Sequence, residues 1–176
     1  AENEQSLFVQ VRERIPESRL FFNNTAHDIL AIAESMMMGE LEYRKGNYDE
    51  AFNHLETAVL LDDGLYYSEP WAWMHPPRHA LGALLLEQGR VEEAERVYRA
   101  DLGLDNRLSR PLQHPNNVWS LHGFVECLKR SGNEKEASQF RRQLELALGR
   151  AGQVITSSCY CRMKDEPTTP DFPATI

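Results

Sequence analysis

The sequence predicts an all-α protein built from one helix–turn–helix unit used three times. The first observation is a repeat: Gly46, Gly89 and Gly132 recur every 43 residues, as do Ala51, Ala94 and Ala137, and each copy reads Gly-x-x-x-Glu-Ala. The second is that apolar residues on both sides of each glycine recur at helical spacing. The third is composition: 41% hydrophobic and 26% charged residues in a 176-residue chain support a buried core and exclude global disorder.

Residues 5–14 form a weakly amphipathic helix with Leu7, Phe8 and Val11 apolar; Pro16 stops it, and it is expected to cap the first helix pair. Thr25 with Asp28 starts the first repeat helix, whose apolar positions are Ile29, Ile32, Met36, Met37 and Leu41. Gly46 suits the left-handed residue that ends a helix, and Asn47 with Glu50 reads as a capping box for the next one. That helix carries Ala51, Leu55, Ala58 and Val59, the small alanine allowing close antiparallel approach. A link rich in aromatic residues and proline follows (62–78), and Pro76 and Pro77 suit a first helical turn, leaving His75 exposed before it. The second pair is marked by Leu81, Leu84 and Leu85, then Gly89, then Ala94, Val97 and Tyr98. A polar link (105–117) leads to the third pair: Leu121, Phe124, Val125 and Leu128, then Gly132, then Asn133 with Glu136 as a second capping box, then Ala137. The organisation is therefore a capping helix and linker (1–26), helical repeats (27–150) and a tail (151–176) that is mobile from about Asp165.

The longest apolar run, around Leu84–Leu86, is far short of the roughly 20 residues that span a bilayer. A net charge of −8 and a pI near 5.3 repel phosphates, so neither nucleic acid nor an anionic membrane is expected as partner. The chain has no Gly-rich phosphate loop, no Gly-x-Ser-x-Gly and no His-Glu-x-x-His. Cys127, Cys159 and Cys161 are too few for a disulfide framework and point to free thiols in a cytoplasmic setting; the Asn23-Asn24-Thr25 sequon is compatible with a secreted form.

The stretch Met38-Gly39 … Gly46-x-Tyr48-x-x-Ala51 … Leu55-x-x-Ala58 resembles the tetratricopeptide repeat (TPR), and Leu81-Gly82 … Gly89-x-Val91-x-x-Ala94 … Tyr98 resembles a second copy. The third copy keeps Gly132 and Ala137 but has Val125 at the first-helix glycine position. The resemblance covers about residues 28–150 and implies an α-α superhelix of three helix pairs whose first helices line a concave face. The 43-residue period exceeds the usual ~34 residues of the family, so each link is longer by about nine residues. The aromatic link followed by Leu-Gly-Ala-Leu-Leu resembles a TPR subgroup whose repeats close a longer array, which implies helical neighbours preceding this chain.

The family register implies three columns of groove side chains: Met36, His79 and His122; a turn on, Glu40, Ala83 and Glu126; then Arg44, Glu87 and Arg130, with Tyr43 and Arg78 bordering the surface. Family clamps for a partner's C-terminal carboxylate use Lys and Asn at these columns, and Met36 with Glu40 argues against that ligand. Tyr66, Tyr67, Trp71 and Trp73 read either as a hydrophobic plug against the second repeat or as an aromatic pocket wall with Arg78 as anion anchor. His79 and His122 with Glu40 and Glu126 are weak metal-ligand candidates, and so are Cys159 and Cys161 with His114 and Met163. The plainer alternatives are groove histidines that hydrogen-bond, and two free thiols on a tail against the last helix. In an extended strand those cysteines point apart, which opposes their pairing. The resemblance thus implies a protein–protein interaction module holding a peptide, or a neighbouring part of a longer array, in its groove, without a cofactor. The alternatives are part of a metal-dependent enzyme using the groove His/Glu residues or the Cys-x-Cys tail, and a purely structural end of an array.

Overall fold

The computed structural model describes residues 1–162. The elements, in order, are α1 (Glu2–Arg12), β1 (Leu20–Phe21), β2 (Asn24–Thr25), α2 (Ala26–Lys45), α3 (Tyr48–Asp63), α4 (Pro77–Glu87), α5 (Val91–Asp101), a 3-10 turn (Arg110–Leu112), α6 (Val118–Arg130) and α7 (Glu134–Arg150). The fold is all-α, with sequence-adjacent helices packed as pairs and a single short hairpin among the described residues. The chain divides into two compact units, Ala1–Leu81 and the part from Gly82 on, with the boundary inside α4.

In the first unit α2 and α3 form an antiparallel pair. Thr25 caps α2, its hydroxyl accepting from the Asp28 amide at 3.1 Å. Gly46 ends α2 at φ 87°, a conformation that Gly89 and Gly132 repeat at φ 74° and 77°. Gly39 is required by proximity: a Cβ there would lie 2.6 Å from Leu55 Cγ and 3.1 Å from the Ala51 carbonyl. Ala51, Leu55 and Ala58 are wholly buried on the facing side. The expected capping box at Asn47 does not form. Its amide instead donates to Glu42 Oε2 at 2.6 Å. Lys45 also donates to that carboxylate, at 2.8 Å, and the two bonds, Lys45's the larger, hold Glu42's carboxyl below its ordinary range. A charged acceptor one turn back outcompetes the helix amides for Asn47.

The capping helix α1 does pack against α2, but by polar contacts: Gln5 donates to the Met38 sulfur, Arg12 pairs with Glu34, and Lys45 meets Glu2 at 2.9 Å. Leu7 and Val11, expected to be its buried stripe, stay exposed. The hairpin β1–β2, with Leu20 opposite Thr25 and Phe21 opposite Asn24, replaces what the sequence marked only as linker.

In the second unit, α5 packs on α6 and α6 on α7. Asn133 does cap α7, accepting from the Glu136 amide at 3.3 Å, and its side-chain amide donates to Glu136 Oε2 at 2.8 Å. The other half of the expected box is not made, because the Asn133 backbone N–H bonds the Leu128 carbonyl at 2.9 Å. The Tyr98 ring, wholly buried, lies against both Gly82 and Gly123, where an added Cβ would collide with it. Tyr98 stands at the register position of Leu55, and Gly82 at that of Gly39. The larger ring therefore needs a second glycine, which α6 supplies at Gly123 two residues before the family position held by Val125.

These packings predict the sign of three substitutions. Alanine raises helix propensity over glycine by about 1 kcal/mol. Gly82→Ala and Gly123→Ala should nevertheless destabilise by about 1–3 kcal/mol in denaturant titrations, because overpacking against Tyr98 exceeds that gain. Ala94→Leu, at another wholly buried site, should cost a similar ~1–3 kcal/mol. Unchanged midpoints in all three variants would refute the close helix approach.

Candidate functional site

In the first unit, α2 and the aromatic link enclose a cleft of about 500 Å³ lined by Met36, Met37, Glu40, Leu41, Arg44, Trp73, His75 and Ala1. Met36, Glu40 and Arg44 are the successive groove positions that the register assigns to this repeat, and the structure brings them together. Trp73 is half-buried, and its indole N–H donates to Met36 Sδ at 3.1 Å. It therefore meets the first helix of the first repeat, where burial against that of the second was the expectation. Burial raises the Glu40 carboxyl above its ordinary range, and Arg44 opposes that shift. Partial burial lowers the His75 pKa, with the neighbouring charge of His79 acting in the same direction.

Other assigned residues of this unit lie elsewhere. Tyr43 is only 4% exposed and packs edge-on against Tyr48 and Phe52, with centroids 5.0 and 6.0 Å away, so it is core and not groove rim. Arg78 is no open anion anchor: it is buried, and both its terminal nitrogens reach the Asp63 carboxylate at 2.6 Å. His79, expected to be partly exposed, is 3% exposed. Tyr66, Tyr67 and Trp71 are exposed and form no plug. The link is held by its backbone instead: buried Asn24 accepts from the Tyr66 amide at 2.7 Å and donates to its carbonyl at 2.9 Å, and Asn23 donates to the Tyr67 carbonyl at 2.7 Å.

In the second unit the described part of the tail is held against the helices. Residues 155–162 return to α5 and α6. Ile155, Ser157, Ser158 and Cys159 are buried, and Ser158 Oγ meets Tyr98 Oη at 2.5 Å. The Tyr160 ring stands edge-on to Trp119 at 5.2 Å. Arg162 reaches both Glu126 oxygens, at 3.0 and 2.8 Å. Arg130, one turn further, pairs with Glu126 at 2.6 Å and donates to the Leu86 carbonyl at 2.9 Å. Of the groove positions in this unit, Glu126 and Arg130 thus form one charge cluster with Arg162, and half-exposed His122 lies one turn before Glu126 on α6. The expected packing of the tail on the last helix is corrected, since these contacts are to α5 and α6.

The Cys159–Cys161 pair is likewise corrected. The two are joined as a disulfide, with Cα atoms 5.3 Å apart. The segment turns at Tyr160 and is not extended, which brings the side chains to one side. That pairing removes both thiolates as metal ligands and removes the free-thiol reading of the tail. Among the described residues, no group of three or more His, Cys, Asp or Glu is placed to hold a metal ion. Met163 and the stretch expected to be mobile from Asp165 lie outside the described residues. No helix among the described residues is long and apolar enough to cross a membrane.

One polar cluster escaped the sequence reading. Wholly buried Asp101, at the end of α5, bonds His114 Nδ1 at 2.8 Å and the Ser120 hydroxyl, and its carbonyl accepts from the His114 amide at 2.6 Å. These are the residue types of a hydrolase triad, but the carboxylate sits between the other two. The imidazole is placed to bond the acid and not the hydroxyl, as proton abstraction from serine would require. Ser120 is itself wholly buried. The cluster fastens the polar link to α5 and α6. The only sequence signal for it was a polar link of unusual length.

No family model and no curated protein matches the chain.

Three measurements check these assignments. Burial pushes the Cys127 thiol up to about 12. The folded protein should therefore show no thiol reactive toward a chromogenic disulfide reagent, one after unfolding, and three after unfolding and reduction; two fast-reacting thiols in the native state would contradict the pairing. A fluorophosphonate probe should leave Ser120 unlabelled, while Asp101→Asn should lower the thermal midpoint; labelling of Ser120 would contradict the structural role.

Proposed function

We propose that the chain is a TPR-type protein-interaction module whose first-helix face binds an extended peptide segment, and that the described tail is its intramolecular occupant. The observation that carries this reading is segment 155–162 lying on α5 and α6. It uses a hydroxyl contact (Ser158 to Tyr98), an aromatic contact (Tyr160 to Trp119) and an ion pair in which one Arg162 nitrogen is shared between both Glu126 oxygens. Those are the contact types by which grooves hold peptides: an aromatic anchor beside a charge-assisted pair. The repeat pattern and the left-handed glycines that end α2 and the two later turns support the TPR-type assignment. The acidic surface favours a basic or neutral protein segment over nucleic acid.

A tethered segment competes at an effective concentration of order millimolar. Weakening the tail should therefore free its face for the same sequence added in trans. The test uses the chain carrying Tyr160→Ala and Arg162→Gln, titrated with the octapeptide of residues 155–162 in which both cysteines are serine. The Trp119 indole N–H signal, followed by NMR, should shift saturably in this variant and stay unmoved in the wild-type chain. A Trp119 signal indifferent to the peptide in both chains would overturn the reading.

A further inference from the structure

We propose that the Glu40 cleft of the first unit is a second peptide subsite, and that it takes an arginine side chain carried next to an aromatic residue. This rests on the peptide-groove reading above and names the chemistry of a ligand for it. Glu40 with Arg44 and Glu126 with Arg130 are the same positions of the repeat, 86 residues apart. The middle repeat has Ala83 and Glu87 there instead, so it lacks the pair. The chain itself shows what such a pair accepts. Glu126 is already bonded by Arg130 at 2.6 Å, yet Arg162 still reaches both of its oxygens at 3.0 and 2.8 Å. The adjoining aromatic, Tyr160, rests two residues away on Trp119.

The Glu40 cleft repeats those features. The carboxylate has an arginine one turn on, an apolar floor of Met36, Met37 and Leu41, and an indole wall at Trp73. Its volume of about 500 Å³ is in the range that holds a drug-sized ligand, enough for a guanidinium and a neighbouring ring. Burial disfavours the Glu40 carboxylate more than Arg44 offsets, and a cation entering the cleft would relieve that imbalance. An anionic ligand would instead meet Glu40 and a chain of net charge −8.

In the wild-type chain the tail fills the Glu126 face, so added peptide reports on the first unit alone. The probe is the same serine-substituted octapeptide, and the readout is the Trp73 indole N–H signal. Saturable shifts are expected. They should weaken roughly tenfold with Glu40→Gln in the protein, and by the same factor when the peptide carries Arg162→Gln. Added salt should weaken binding in the unmodified chain, a second measurement that needs no variant. A silent Trp73 signal, or an isotherm indifferent to Glu40→Gln and to salt, overturns the subsite. If Trp73 is silent while Trp119 responds in the loosened chain, the subsite falls and the groove reading stands.

Discussion

The burial of the Tyr98 ring between two glycines is the constraint on which the second unit depends. A fully buried aromatic side chain stabilises by roughly 1.5–3 kcal/mol, provided its hydroxyl is not stranded. The ring fits because Gly82 and Gly123 remove the Cβ atoms that would otherwise collide with it. That brings α4 and α6 against the same side chain and leaves the phenol pointing at the tail. Burial pushes the phenol's pKa well up, so it stays neutral and is available to Ser158. Core packing and tail docking are therefore one arrangement, joined at a single oxygen.

The same repeat position carries Leu55 in the first unit, where only Gly39 makes room and no hydroxyl emerges. This difference of one side chain has a structural consequence. Where the core side chain ends in a polar atom, a segment of the chain closes over it. In the first unit the corresponding face of α2 opens instead into the Glu40 cleft, walled by Trp73 from the link. The long links serve different ends in the two units. One lends an indole to a cleft, and the other is tied down by buried Asp101.

The helix pairs, their turns and their alanines were legible in the sequence because they depend on local rules: a left-handed glycine, a small residue at a contact and an apolar period. That Met36, Glu40 and Arg44 share one face of α2 was legible for the same reason, since register on a helix follows from spacing. Arg78 and Tyr43 were not. Their fate is set by Asp63 and by Tyr48 and Phe52, partners that no periodicity marks. Asn47 failed as a cap because a carboxylate one turn back attracts it more strongly. The return of the tail was hidden most deeply, because it relies on non-local contacts of one serine, one tyrosine and one arginine in a stretch with no helical pattern.

On the function proposed above, segment 155–162 is a docked ligand and not a trailing end. Native-state hydrogen exchange of the wild-type chain tests it most directly. The amides of Ser158–Arg162 should be protected, and Tyr98→Phe should release them well before α6 exchanges, since it removes the hydroxyl contact and keeps the ring. Amides that exchange at unprotected rates in the wild-type chain would contradict the account.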